Sequence, residues 1–241
     1  MSAKNTPRAT TLADARKMNL FPSVTGIIDQ IAKPGLVKWQ VEQGIKAALL
    51  LGRDNIESED GFIARCHVEA GRLAKEARDL GGLIHDAVSK SLSGKFDSVP
   101  DDMFPYVIAA TEALDKIAMP PKGGVCWDSE VSFASSDGYG GTIDLIHKDG
   151  HLLGDIKTTK TVLGKPIAIY DEHIMQLVAY RIGKNLPTDT GLFNLFISTT
   201  EPGRAELVLH DRTNISRAES MFAALWLLWG AKTGYCPQWK L

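Results

Sequence analysis

A chain of 241 residues, 44% of them hydrophobic, can bury one sizeable core, or one core with a helical annex. Its net charge of −2 excludes a global basic field, so any nucleic-acid partner must be held by a local patch. Three scattered cysteines, Cys66, Cys126 and Cys236, exclude a disulfide framework and a CxxC metal pair, and fit a reducing compartment.

Residues 1–20, MSAKNTPRATTLADARKMNL, lack the apolar stretch of a signal peptide and are expected to form a flexible, exposed tail. PSVTGIIDQIAKPGLVKWQVEQGIKAALLLG predicts a helix capped at Ser23/Thr25, a break at Pro34-Gly35, and an amphipathic helix to about Gly52. DNIESEDGF is a polar loop. Helical patterning resumes from about Ile63 to Ser91, with an interruption expected near Gly81-Gly82. DDMFPYVIAATEALDKIAM predicts one more helix, ended by Pro120-Pro121.

The character then changes. VCWDSEVSFAS alternates as a strand does, and GTIDLIHKDGHLLGDIKTTK follows as a hairpin. YDEHIMQLVAYRIGKN reads as helix, DTGLFNLFIST and RAELVLHD as strands, and SRAESMFAALWLLWGAKTG as a closing helix. The expectation is a single α/β domain over residues 21–241, mainly helical over 21–120, with a central mixed sheet over 121–241. The apolar run MFAALWLLWGA is too short to span a bilayer. No GxxxxGK[ST] loop occurs, and GYGGTID fails GxGxxG because Ile143 stands where the last glycine should be.

The hairpin carries two acids and a lysine among apolar residues. Asp149-Gly150 is a strong two-residue turn signal. With that loop, Lys148 pairs with His151, and stepping outward brings Asp144 opposite Asp155, their Cβ atoms roughly 4.5–5.5 Å apart. Asp155 and Lys157 share a face because side chains alternate along a strand. Exposed charges on a wet hairpin face are the plain alternative, but Ile143, Leu145, Ile146, Leu152, Leu153 and Ile156 make both faces apolar, as in an interior strand. Two opposed carboxylates need a cation between them. Lys157 meets part of that need, and a hard divalent ion held by oxygen ligands meets it better.

These residues resemble the PD-(D/E)XK nuclease superfamily, in its RecB-like exonuclease branch. GTID matches the branch's GxxD element, and DIK, continuing into Thr158, matches (D/E)xK. QLVAY matches QxxxY, and GGLIH matches the upstream GxxxH element. The four occur in the family's order between Gly81 and Tyr180. The opening PSVTGIID and KPGLVKW is similar to phage-encoded exonucleases and to mitochondrial genome maintenance exonucleases.

The resemblance implies a restriction-endonuclease-like core with an N-terminal helical region. It implies Mg²⁺ or Mn²⁺ held by His85, Asp144, Asp155 and the carbonyl of Ile156, with Asp144, Asp155 and Lys157 catalytic. Gln176 and Tyr180 share a helix face beside the site; Thr158 and Lys160 continue the catalytic strand toward DNA. Ile143 stands where the family's name has proline. Relatives with an iron–sulfur cluster carry four cysteines, so none is expected here. The implied activity is metal-dependent hydrolysis of DNA from its ends in phage or bacterial recombination, repair or replication. The implied setting is the cytoplasm of a bacterium or phage-infected cell, with no membrane association and a single-strand annealing protein as a partner. A nuclease of the same fold cutting internally, or a catalytically silent DNA-binding scaffold, are the alternatives.

Taken singly, other residues read as structural: Glu76 and Glu130, the turn histidines His147 and His151, and the tryptophans Trp39, Trp127, Trp226 and Trp229. His173, three residues before Gln176, is a further candidate for the cleft.

Overall fold

A computed structural model of the chain describes residues 10–118 and 125–237. The first element is a helix, α1 (Leu12–Met18), where an exposed tail was expected. Thr11 and Asp14 close a capping box at its start, satisfying backbone N–H groups the first turn leaves open. The helix is tied to the far end of the chain. The Tyr235 hydroxyl donates to the carbonyls of Ala15 and Leu20, each at 3.0 Å, and Arg16 donates to the carbonyl of Thr233.

Ser23 caps the short α2 (Val24–Ile28) by accepting from Gly26 N at 3.0 Å. Pro34 opens α3 (Pro34–Leu51), where its missing N–H costs nothing. The next helix, α4, runs 34 residues from Glu59 to Leu92, without the break expected at Gly81-Gly82. Gly81 sits buried against the sheet, and that packing offsets the roughly 1 kcal/mol by which glycine disfavours a helix. Helix α5 (Phe104–Leu114) stops short of the two prolines expected to end it, which lie outside the described residues.

The sheet contains β1 (Trp127–Ala134), β2 (Gly140–His147), β3 (Leu152–Thr159), β4 (Gly191–Ser198) and β5 (Ala205–Leu209), side by side in that order. Only the β3–β4 pairing is parallel. A parallel pair needs a crossover, which α6 (Asp171–Gly183) supplies before β4. The chain closes with α7 (Arg212–Thr233). The architecture is the expected α/β arrangement of a mixed sheet flanked by helices, with further helices before it. Among the described residues no helix is long and apolar enough to cross a membrane.

Helices cover both faces. Ile27 of α2, Leu177 and Val178 of α6 and Phe222 of α7 form one core with Leu153 and Leu192 of the sheet. Ile84 and Val88 of α4 and Val107 of α5 form the other with Ile156, Phe193 and Leu195. Strand β2 breaks the rule of alternation: Ile143 and Leu145, two residues apart, enter opposite cores. The residue between them is Asp144.

Candidate metal centre

The hairpin register is the one the sequence predicts, although its connection is longer. Leu145 pairs with Gly154 and Ile146 with Leu153, which puts Asp155 opposite Asp144 on the next rung. The strands end at His147 and resume at Leu152, so Lys148 to His151 all lie in the turn. Gly150 N donates to His147 O at 2.7 Å, and Gly150 takes φ 78°, a left-handed value that glycine accepts without steric cost. The turn grows by one residue on each side, so the register survives.

The rung itself is missing. Asp144 Oδ2 accepts from the backbone N–H of Ile156 at 2.7 Å, and a side chain thus replaces the ladder bond. The N–H and C=O of one residue leave a strand on the same side, so the Ile156 carbonyl faces the same gap. The β1–β2 ladder is interrupted at the same level. Ser129 pairs with Leu145 and Val131 with Ile143, but the residues between them, Glu130 and Asp144, do not pair. Glu130 takes φ 55°, uncommon for a residue with a Cβ. On the other side Asp155 pairs with Asn194. A row of polar side chains, Glu130, Asp144, Asp155 and Asn194, therefore crosses four strands where the sheet opens.

Each flanking layer sends a side chain into the opening. From α4, His85 Nε2 lies 3.0 Å from Asp144 Oδ2, and its Nδ1 lies 3.1 Å from Glu130 Oε1. Burial pulls the His85 imidazole down, but its hydrogen bond to Asp144 and the charges of Asp144 and Glu130 outweigh that and raise it. From the α6 side, Gln176 Oε1 accepts from Lys157 Nζ at 3.0 Å, and Gln176 Nε2 donates to the Tyr180 hydroxyl at 2.6 Å. Lys157 Nζ also donates to Asp155 Oδ1 at 2.9 Å. Asp155, fully buried, accepts at its other oxygen from Asn194 Nδ2 at 2.8 Å, and Asn194 Oδ1 lies 2.8 Å from His210 Nε2. Burial pushes the Asp155 carboxyl well up; Lys157 opposes this and the nearby Asp144 charge adds to it.

The motif glycines are contact points between these elements. A Cβ on Gly81 of α4 would stand 2.6 Å from Thr158 Oγ1 on β3. One on Gly141 of β2 would stand 2.8 Å from the Tyr180 ring on α6. Gly81 lies one helical turn before His85, so close approach at the first seats the second over Asp144.

Two clefts border the site. One, about 630 Å³, is lined by Lys157, Gln176, Lys33, Trp39, Tyr170 and His173. Burial and the positive charge of Lys157 hold His173 down to about 4. Trp39 also lines a second cleft of about 800 Å³, bordered by Arg78, Thr158 and Lys160. Thr158 is thus turned to Gly81 and the outer cleft, and Lys160 is exposed at its edge.

Ligand atoms of His85, Glu130 and Asp144 all lie within 4.8 Å of one another. Asp155 is outside that trio, on the next strand and turned to Lys157 and Asn194. A nitrogen with carboxylate oxygens suits Mn²⁺ well and Mg²⁺ less well, since Mg²⁺ favours oxygen alone. The buried Asp155 carboxyl, whose charged form needs a neighbouring cation, fits the same ion. From the sequence, Glu130 is weighed as an acid supporting the site but reads as structural, and Asn194 is not singled out. Asn194 carried a signal, a lone amide within the apolar run GLFNLFIS. Glu130 carried none, because its place depends on a left-handed backbone and on a helix far away in sequence.

No model of a protein family and no curated protein matches this chain. Among solved structures, it is similar to one from Eubacterium rectale provisionally named an exonuclease. The identity is 12%, covering 95% of this chain and 88% of that one at a TM-score of 0.47. It is also similar to SSO0001, at 19% identity over 59% of this chain and 74% of that one, with a TM-score of 0.28. At these scores the likeness is too slight to assign an activity.

Proposed function

We propose that the chain is a divalent-metal-dependent deoxyribonuclease that hydrolyses phosphodiester bonds from DNA ends. The observation that carries this reading is the opening in the sheet, where His85, Glu130 and Asp144 converge beside the buried Asp155–Lys157 pair. His85, Asp144, Asp155 and the Ile156 carbonyl would hold the ion, with Glu130 on the far nitrogen of His85. A bound Mg²⁺ or Mn²⁺ supplies Lewis-acid polarisation of a phosphoryl oxygen and charge for the departing alkoxide.

The chain's own residues do the rest. Lys157 is fixed by Asp155 and Gln176, so its ammonium faces the cleft in one orientation. There it donates a hydrogen bond to the attacking water or to a phosphoryl oxygen and offsets negative charge in the transition state. Attack by water forms a P–O bond and breaks the bond to the 3′ oxygen; the water gives up a proton to bulk water and the 3′ oxygen takes one up, leaving a 5′-phosphate and a 3′-hydroxyl. Gln176 and Tyr180 hold Lys157 rather than react. Trp39, Thr158 and Lys160 border the path a strand takes to the site. The preference for ends, a role in phage or bacterial recombination or repair, and work beside a single-strand annealing protein rest on the motif resemblance.

End-labelled linear DNA and covalently closed circles, incubated with Mg²⁺, Mn²⁺ or EDTA, test the proposal. Wild type should release label from linear DNA only with metal and spare the circles. Lys157→Ala should lower the rate by roughly 100-fold or more. Equal loss of circles turns the reading to an endonuclease. Folded wild type inert on single- and double-stranded DNA refutes it.

A further inference from the structure

The turn joining β2 to β3 reads HKDGH, and three of its side chains converge on one point. Asp149 Oδ1 accepts from the backbone N–H of His151 at 3.1 Å, and His147 Nδ1 stands 2.6 Å from the same oxygen. The Nδ1 of His151 contacts it too. The two imidazole rings lie 4.3 Å apart, and Trp127 packs edge-on against His147 at 5.3 Å. The His147 side chain is 16% exposed, so one arm of the cluster is fixed by the core, while Asp149 and His151 face solvent.

A neutral imidazole carries one N–H and one lone pair. Two rings that both turn Nδ1 toward one carboxylate therefore offer two nitrogen donors and one oxygen donor. The three ligand atoms lie within 4.8 Å of one another. None of them belongs to the candidate metal centre: His147 is three residues beyond Asp144, roughly 10 Å along a strand.

We propose that this turn is a second, structural metal site, taking a transition-metal ion of the zinc class through His147, Asp149 and His151. Imidazole suits zinc, copper and nickel, and the turn offers two imidazoles to one carboxylate where the opening in the sheet offers one to two, so the turn favours these ions more strongly. Open solvent on the outer side provides the fourth ligand as water. The effect falls on the row of polar side chains that crosses the sheet. Before Asp144 leaves the ladder, β2 and β3 share the pairs Leu145 with Gly154 and Ile146 with Leu153. An ion joining His147 at the end of β2 to His151 just before β3 clamps those rungs from the other side. It fixes the register that sets Asp144 against Asp155, which a one-residue slip would destroy. The site stands independently of the nuclease reading.

Zinc binding to the tag-free full chain tests it, by equilibrium dialysis and thermal melting. In a His85→Ala/Asp144→Ala background, which removes the main donors of the other centre, the chain should bind zinc at one site and melt higher with zinc present. Adding His151→Gln, an exposed change, should weaken binding by at least the roughly 10- to 100-fold that even an outer-shell change costs, and abolish the thermal shift. Asp149→Asn, which keeps a carbonyl oxygen for the His151 N–H, should do the same. Either turn variant in the otherwise wild-type chain should remove one zinc from the total, so the outcome does not hinge on the folding of the background. Zinc binding and thermal shift left unchanged by both turn variants, or no zinc binding at all, overturns the proposal.

Discussion

Glu130 holds φ 55°, a conformation that costs a residue with a Cβ roughly 1–2 kcal/mol. Its carboxylate lies on His85 Nδ1, while His85 Nε2 lies on Asp144. A carboxylate behind a ligating histidine fixes the tautomer and ring orientation that present the other nitrogen to a metal. The strained backbone thus serves to aim one side chain. Glu130→Gln should raise the metal concentration for half-maximal activity by about 10- to 100-fold. Glu130→Gly should do the same while relieving roughly 1 kcal/mol of backbone cost, so its melting temperature should hold or rise. A Glu130→Gly chain that melts lower, with an unchanged metal requirement, would remove the residue from this role.

The helices and strands meet where motif residues touch across the gap. Gly81 of α4 receives Thr158 of β3, and Gly141 of β2 receives Tyr180 of α6. Each glycine lets its element approach closely enough for His85 to reach Asp144 or for Gln176 to reach Lys157. Gly141→Ala should destabilise the fold by about 1–3 kcal/mol, because a rigid ring lies 2.8 Å from the new methyl. Gly81→Ala should cost less, because Thr158 can rotate its hydroxyl away. Thr158→Ala should recover most of that loss, a coupling that denaturant melts of the double-mutant cycle measure directly. Additive effects would show that the two residues do not press on each other. A glycine inside a helical pattern looks like a break, yet here it is a packing surface, and nothing local tells the two apart. The hairpin register was legible because a turn signal and a two-residue period are both local. The role of Glu130 was not, since its partner His85 lies on a distant helix.

Across the whole molecule, both faces of the sheet are covered, and charged groups on the cleft side share the low-dielectric interior with α6. His173 is neutral in the fold, held down to about 4 by burial and by Lys157, with smaller contributions from His210 and Lys33, against 6.5 for the free side chain. The unfolded chain therefore takes up this proton first as pH falls. The group withdraws stability progressively from about pH 6.5 down to about pH 4, and its effect is flat above that window. Urea melts across the window should show wild type losing more stability than His173→Gln. Parallel slopes for the two chains would mean that the fold does not hold the His173 proton affinity down.

The sequence by itself determined what rests on neighbours along the chain: the order of the strands and most of the helices, the hairpin phase that opposes Asp144 to Asp155, and the Gln176–Tyr180 spacing on one helix face. The tertiary structure decided what depends on separation in sequence. Residues 12–18 form an exposed helix tied to the far end of the chain because Tyr235, 220 positions from Ala15, binds the carbonyls of Ala15 and Leu20. Asp144 leaves the ladder because His85 and the Ile156 N–H both bind its carboxylate. Glu130 and Asn194 join the row because pairing brings their strands alongside. Periodicity and turn chemistry are short-range and survive in a single sequence; the opening in the sheet is a balance of long-range contacts, present only once the layers have packed.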